Sequence, residues 1–114
     1  MKKNTLLVAI LATLPMGLFA SSVTPTTTIT KMYVYKTAAV IKVKNKADNE
    51  GCGYSRSGEF IAIRFGETGS KELYSAVLSA YVSGAKVQIG TSGCDNIWSG
   101  DGTMNKAYRI TLVK

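Results

Sequence analysis

The stretch that decides the fold is EFIAIRFGETGSKELYSAVLSAYVSGAKVQIGTSGC, residues 59–94. Ile61 and Ile63 alternate with other residues near its start, and this pattern predicts a strand over residues 60–65. The same alternation near its end predicts a second strand over residues 86–89. A longer apolar region lies between these two strands, and a cysteine ends the stretch.

The apolar region over residues 70–83 has helical spacing instead of strand alternation. One stripe recurs at i, i+3, i+4, i+7 and i+8, and it consists of Leu73, Ala76, Val77, Ala80 and Tyr81. Ser70 is the expected N-cap, and Gly84 is of the residue type that commonly ends a helix. The sequence therefore predicts one helix between the two strands.

Three more strand patterns flank this stretch, two before it and one after it. The predicted strands cover residues 29–36, 40–44 and 108–113, and the predicted loops cover residues 45–58 and 90–106. In the last strand, Tyr108, Ile110 and Leu112 are expected to share one face. Five short strands with a helix between the third and the fourth is the order of the OB-fold, a Greek-key barrel. We therefore predict a five-stranded, all-β OB-fold barrel with one helix over residues 29–114, preceded by an N-terminal arm over residues 21–28.

A second apolar stripe makes the apolar face of the helix wider than is needed to cover one end of a barrel. This stripe consists of Tyr74, Leu78 and Val82. Because apolar surface left over in this way marks an interaction site, we predict that the stripe contacts another subunit in a homo-oligomer. The alternative is that Tyr74 and Leu78 cover the rim of the barrel.

Residues 1–20 have the composition of a secretory signal peptide. Lys2 and Lys3 supply its basic region, an apolar run follows, and Ala20 offers a small residue for cleavage. A cut after Ser22 is the alternative. Because the apolar run is shorter than the ~20 residues of a membrane span, we expect cleavage and export to the periplasm or beyond, with no span afterwards.

The exported part is small and basic, and it contains two cysteines. Cys52 and Cys94 are the only cysteines of the 114-residue chain, and an even pair in an exported protein predicts one disulfide bond. The formal charge is +7, and loss of the two lysines of the leader leaves +5. A basic surface suits an acidic partner, but a positive charge also keeps exported proteins soluble.

No pattern in the chain predicts catalysis, a cofactor or a metal ion. The chain has no histidine, which removes the serine–histidine and cysteine–histidine pairs of nucleophilic catalysis. Seven carboxylates are present, and no spacing among them selects a glycosidase-like pair. A metal site is disfavoured because both histidine and a second cysteine pair are missing. We therefore expect a binding protein and not an enzyme.

Lysines alternate along the second predicted strand and beyond it. This row consists of Lys42, Lys44 and Lys46, and the residues expected beside it are Tyr33, Tyr35 and Arg64. A cationic and aromatic surface on an OB-fold is typical of single-stranded nucleic-acid binding. Export argues against nucleic acid, so the row favours another acidic ligand or a solvated strand face.

The helix and the strand after it resemble a segment of a known toxin family. Residues 71–89, KELYSAVLSAYVSGAKVQI, combine a tyrosine-containing helix, a turn of small residues with Gly, and a Val-x-Ile strand. Trp98 follows in the next loop. In these features the C-terminal half of the chain resembles the B subunits of subtilase cytotoxin and typhoid toxin. The resemblance implies an OB-fold subunit that forms a pentamer, binds host sialylated glycans and can associate with an enzymatic A subunit.

The resemblance also implies where a glycan binds. In the family, the pocket draws on a segment before the first strand and on a basic residue after the second. The matching positions here are Thr26, Thr27, Thr28 and either Lys44 or Lys46. We predict that these groups hydrogen-bond a sugar and its carboxylate, and that Trp98 or Tyr54 supplies an apolar platform.

Two hypotheses for the function follow. The first is a secreted or periplasmic oligomeric subunit that recognises a host glycan, sialylated or acidic in another way. The second is a periplasmic OB-fold protein outside the toxin family that binds a small ligand or a protein partner.

Overall fold

The structure is a computed structural model that describes residues 21–114, so the predicted signal peptide lies outside the described residues. The described chain forms six strands and one helix. The strands are β1 (Ser21–Val23), β2 (Ile29–Val34), β3 (Ala38–Val43), β4 (Phe60–Arg64), β5 (Lys86–Asp95) and β6 (Met104–Val113), and the helix is α1 (Ser70–Ser83). The prediction of a mostly β chain with a single helix is confirmed for this part of the sequence.

The six strands form one mixed sheet in the order β1-β5-β6-β4-β3-β2. Neighbouring strands are antiparallel, except that β4 and β6 run parallel and pair at Ala62 and Lys106. The predicted closed barrel of five strands is not confirmed, because a sixth strand is present and no ladder within residues 21–114 joins the two ends of the sheet. The chain before β2 still approaches β5, since Thr27 and Val87 exchange two backbone hydrogen bonds of 2.8 Å.

The predicted N-terminal arm lies along β5 from its first residue. β1 pairs with residues 90–92 of β5. Thr24 continues this contact, because its N–H donates to the Ile89 carbonyl at 3.0 Å and its hydroxyl accepts from the Ile89 N–H at 2.9 Å. The arm is therefore fixed on the sheet, and it carries residues 26–28 to the start of β2.

Both faces of the central strands are buried, one under the helix and the other under loops. The first core lies between the sheet and α1, and its fully buried side chains include Ile41, Ile61, Ile63, Val77, Val87 and Ile89. The second core lies on the opposite face and consists of Val40, Phe60, Ala62 and Met104, with Tyr33, Tyr54, Ile97 and Trp98 packed against it. Strands buried on both faces have nearly continuous apolar runs, which explains the sequence AAVIKV of β3.

The β5–β6 hairpin is longer than the sequence predicts. Both strands extend into the loop predicted over residues 90–106, which is reduced to residues 96–103. The pairing register shifts at two places between Gly90 and Cys94. Each shift breaks the two-residue alternation from which a strand is recognised in a sequence, and this is why the prediction was wrong here.

The same irregularity changes which side chains of the last strand, β6, face the core. Ala107 and Ile110 both pack against the first core, whereas Tyr108 is 56% exposed. The predicted common face is therefore wrong for Tyr108, because the register shift places an extra residue between the two inward positions. Leu112 does lie on the face of Ile110, but it is 59% exposed near the end of the strand.

The helix has the predicted bounds and a different N-terminal cap. Ser70 is already the first helical residue, and its hydroxyl donates to the Glu67 carbonyl at 2.8 Å. The N-cap is Gly69, which has a left-handed conformation with φ of 81° that glycine adopts without steric cost. Gly84 ends the helix as predicted, also in the left-handed conformation.

A disulfide and a buried asparagine anchor the β3–β4 loop, residues 44–59. Cys52 and Cys94 form the predicted disulfide, with their Cα atoms 5.7 Å apart, and it joins this loop to β5. Asn105, at the start of β6, is fully buried and hydrogen-bonds to the same loop from the other side. The loop is therefore held at two points, although it has no regular secondary structure.

Candidate functional site

An open depression of about 260 Å³ lies where the chain entering β2 meets the end of β3 and the start of β5. It is lined by Thr26, Thr27, Thr28, Lys44, Asn45 and Lys86. Four of these residues, the three threonines and Lys44, belong to the site predicted from the sequence, and the structure brings them together. We call this place the Thr–Lys depression.

Backbone pairing fixes the shape of the Thr–Lys depression. Thr27 is buried, and its two backbone hydrogen bonds to Val87 hold it beside β5. Its hydroxyl accepts a 2.7 Å hydrogen bond from the N–H of Asn45, and the Asn45 side-chain amide donates to the Thr26 carbonyl at 3.0 Å. The Thr27 hydroxyl therefore stabilises the shape of the site, while the hydroxyls of Thr26 and Thr28 remain available to hydrogen-bond a ligand.

The free groups of the depression are hydroxyls and ammonium groups. Within residues 21–114, the Thr26 and Thr28 hydroxyls donate no hydrogen bond, and neither Lys44 nor Lys86 forms a salt bridge. No carboxylate belongs to the lining. Charge-assisted hydrogen bonds from lysine are among the stronger polar contacts that proteins make with carboxylates. The arrangement can therefore hold a ligand that carries both hydroxyl groups and a negative charge.

The size of the depression limits the ligand. Pockets for drug-sized ligands usually measure about 300–1,000 Å³. The Thr–Lys depression, at about 260 Å³, is smaller and open to solvent. It therefore suits one terminal sugar unit of a longer chain and not a whole oligosaccharide.

The other predicted ligand residues lie elsewhere. Lys46 is exposed and does not line the depression. Tyr54 and Trp98 both pack on the second core, with their ring centroids 5.8 Å apart and nearly perpendicular. The structure therefore does not join an aromatic platform to the threonines and lysines.

Trp98 is held inside an aromatic cluster. Its ring lies 5.1 Å from that of Tyr33 and 5.4 Å from that of Phe60, between centroids. Its indole N–H donates a 2.7 Å hydrogen bond to the Tyr35 hydroxyl. Such contacts fix the loop over residues 96–103 on the sheet, so the cluster has a packing role that accounts for it without a ligand.

The predicted lysine row is partly neutralised. Lys42 lies 3.7 Å from Glu59, which also accepts two hydrogen bonds from Arg56. The hydrogen-bonded Arg56 guanidinium holds the pKa of Glu59 below its usual value, so this carboxylate stays charged beside the row. Arg64 is paired with Asp95 at 2.7 Å in the same way. The continuous cationic surface that a single-stranded nucleic acid needs is therefore interrupted.

Two lining residues, Asn45 and Lys86, were not predicted from the sequence. Lys86 begins β5, far along the chain from the threonines. It reaches the depression because Thr27 pairs with Val87, which is a contact between distant parts of the chain. No local pattern signals that pairing, so only the assembled sheet identifies the second lysine.

The exposed apolar stripe of α1 differs in one member from the predicted one. Leu78 and Tyr81 are each 39% exposed, and Val82 is 77% exposed. Tyr74 is half-buried and packs edge-on against Phe65, with ring centroids 5.2 Å apart. The stripe that the structure leaves uncovered is therefore Leu78, Tyr81 and Val82.

The chain matches no known protein family, and it has no significant match among curated proteins or solved structures. The resemblance to toxin B subunits therefore rests on the residues quoted above. Residues 21–114 hold no group of three or more His, Cys, Asp or Glu side chains placed to bind a metal ion. In the same part of the chain, α1 is too short to cross a membrane.

Proposed function

We propose that this protein is an exported binding subunit that recognises an acidic glycan through the Thr–Lys depression. The observation that carries the proposal is its lining, in which three separate segments contribute three threonines, an asparagine and two lysines without a carboxylate. Hydroxyl and amide groups hydrogen-bond sugar hydroxyls, and the lysines attract a sugar carboxylate. The resemblance to toxin B subunits supports the same ligand class.

We further propose that the fold is of the OB type. Strands β2 to β6 follow the order β2-β3-β4-β6-β5, and α1 lies between β4 and β5, in agreement with the predicted sequence of elements. An OB-fold is a partly open barrel. The backbone hydrogen bonds between Thr27 and Val87 support this type, because they bring the chain entering β2 next to β5. In this description β1 is an extra strand at the outer edge of β5.

We also propose that the exposed stripe of α1 contacts further copies of the chain. Val82 lies at the centre of the solvent-facing side of the helix, and Leu78 and Tyr81 extend it into an apolar patch. Apolar patches on small exported domains are stabilised when a partner covers them. Two further proposals rest on the resemblance alone. They are that the oligomer is a pentamer and that an enzymatic A subunit associates with it.

A glycan array with the purified, oxidised protein separates the two hypotheses for the function. We expect signal on sialylated glycans and much weaker signal on the same glycans without their acidic sugar. Absence of any glycan signal from a folded, oligomeric protein would favour the hypothesis of a small ligand or a protein partner.

Lys44→Met and Lys86→Met are each expected to weaken binding of sialyllactose about tenfold or more. Each change removes one hydrogen bond from a charged donor, which contributes about 1.5–3 kcal/mol. Isothermal titration calorimetry measures the affinities. Lys46→Met is the matched control, because Lys46 has the same charge and does not line the depression. An equal loss in all three variants would show that only the overall charge matters, and it would contradict the site.

Replacing Leu78 and Val82 together by lysine is expected to convert the oligomer to a monomer, because burying two ammonium groups in an apolar contact is strongly unfavourable. Sedimentation velocity gives the mass. Ser83→Lys is the control, since Ser83 is exposed and lies about 100° around the helix from Val82. If the unmodified protein sediments as a monomer at all concentrations, the proposed contact does not exist.

A further inference from the structure

A second, larger cavity lies away from the Thr–Lys depression, between β4, β6 and the N-terminal end of α1. Its volume is about 520 Å³, within the range of about 300–1,000 Å³ that is usual for ligand pockets. It opens where the two parallel strands separate, because β4 and β6 pair only at Ala62 and Lys106. We call this cavity the β4–β6 cleft.

The β4–β6 cleft has an apolar floor, and its remaining lining includes the polar residues Ser21, Thr68, Ser70 and Ser92. Ile63 and Ala107 are buried beneath it, and Leu73 of α1 is half-buried at its side. Tyr108, which the bulge in β6 turns outward, stands beside the cleft as an exposed aromatic wall. An apolar side chain placed here contacts Leu73 and Tyr108 and is partly removed from water.

The charged residues that line the cleft are Arg64, Glu67 and Lys106, and each of them belongs to an ion pair. Arg64 makes hydrogen bonds of 2.7 and 3.1 Å to Asp95, and this contact holds the pKa of Asp95 below its usual value, so this pair stays intact. Lys106 forms the other pair, with its Nζ 2.6 Å from Glu67. The Glu67 side chain is 48% exposed and that of Lys106 is 29% exposed, and a pair this accessible to water contributes little to stability. Its two charges are therefore available for exchange with those of a ligand.

We propose that the β4–β6 cleft binds a free α-amino acid with an apolar side chain. The carboxylate of the ligand pairs with Lys106, its ammonium group pairs with Glu67, and its side chain covers the apolar floor. A simple anion leaves Glu67 without its partner, and a simple cation leaves Lys106 without its partner. A zwitterion replaces one ion pair by two, so no charge at the rim loses a counter-charge. The paired charges of the cleft differ from those of the Thr–Lys depression, whose two lysines form no salt bridge within residues 21–114.

Titration of the methyl-labelled protein with L-leucine tests the proposal by nuclear magnetic resonance. We expect saturable shifts of the Ile63, Leu73 and Ala107 methyl signals. N-acetyl-leucine lacks the ammonium group, leucine amide lacks the carboxylate and glycine lacks the side chain, so each is expected to bind about tenfold more weakly or worse. This set of ligands shows whether both charged groups of the amino acid are needed for binding, without any change in the protein.

Two variants test which charged side chains of the protein bind the ligand. Lys106→Met and Glu67→Gln are each expected to weaken leucine binding about tenfold, whereas Lys46→Met leaves it unchanged. Both altered residues lie at the rim, and circular dichroism verifies the fold of each variant. The proposal is overturned if leucine gives no saturable methyl shifts, if its acetylated and amidated forms bind as tightly, or if both variants bind like the unmodified protein. None of these results depends on glycan binding at the other site.

Discussion

Removing the disulfide with Cys52→Ser and Cys94→Ser together is expected to lower the free energy of unfolding by about 4 kcal/mol. The bond closes a loop with a sequence separation of 42 residues, and the entropy that it removes from the unfolded chain grows with loop length. For a domain of this size, 1 kcal/mol shifts Tm by about 4–8 °C, so Tm should fall by roughly 15–30 °C. Thermal unfolding followed by circular dichroism measures this change.

Chemical reduction provides an independent comparison for the disulfide. A reductant should lower Tm of the unmodified protein to that of the double variant, and it should leave the variant unchanged. Ser92→Ala is the matched control, since Ser92 is an exposed residue of the same strand. A fall of less than about 5 °C in the double variant would mean that the β3–β4 loop is held without the disulfide.

Asn105→Ala is expected to cost about 3–4 kcal/mol of stability. The side chain is fully buried, and its Oδ1 accepts hydrogen bonds from the Ser57 hydroxyl at 2.6 Å and from the Glu50 N–H at 3.2 Å. Its Nδ2 donates to the Asp48 carbonyl at 2.8 Å. Alanine leaves the buried Ser57 hydroxyl without this partner and removes the partly buried bonds to Glu50 and Asp48, at about 1–3 kcal/mol for each group that water cannot reach. Urea unfolding measures the loss.

Asn96→Ala is the control for Asn105, because Asn96 is exposed and its structural contacts are made by its backbone. A loss for Asn105→Ala as small as that of the control would show that the buried hydrogen bonds are replaced by water. Since Asn105 and the disulfide anchor the same loop, their effects should not be additive when the changes are combined.

The helix and the disulfide were predictable because each depends on a simple rule. The helical spacing of apolar residues and the terminal Gly84 gave the bounds of α1, and the cysteine count gave the Cys52–Cys94 bond. Neither prediction requires knowledge of how distant segments pack. The mostly β class could be predicted for the same reason, since most strands show local alternation.

The long hairpin and its anchor were not predictable from local patterns. Bulges in the β5–β6 pairing hide the alternation, so the segment containing Asn105 looks like a loop in the sequence. A buried asparagine is recognised only when its partners are known, and these come from the β3–β4 loop, distant in sequence. The sixth strand was missed because three residues, two of them serine, carry too little pattern.

The candidate site was predicted only in part. The resemblance led to the threonines and Lys44, and the structure places them in one depression. The aromatic platform that we predicted, Trp98 or Tyr54, lies in the aromatic cluster instead. Lys86 became visible only through the pairing of Thr27 with Val87, because that contact joins two segments that are distant in the sequence.

Glycan recognition is tested most directly by titrating the isotope-labelled, oxidised protein with sialyllactose and following the backbone amide signals. We expect saturable shifts at Thr26, Thr28, Lys44 and Lys86, and much smaller shifts with lactose, which has no carboxylate. Unchanged signals at all four residues, or the largest shifts around Trp98, would contradict binding at the Thr–Lys depression.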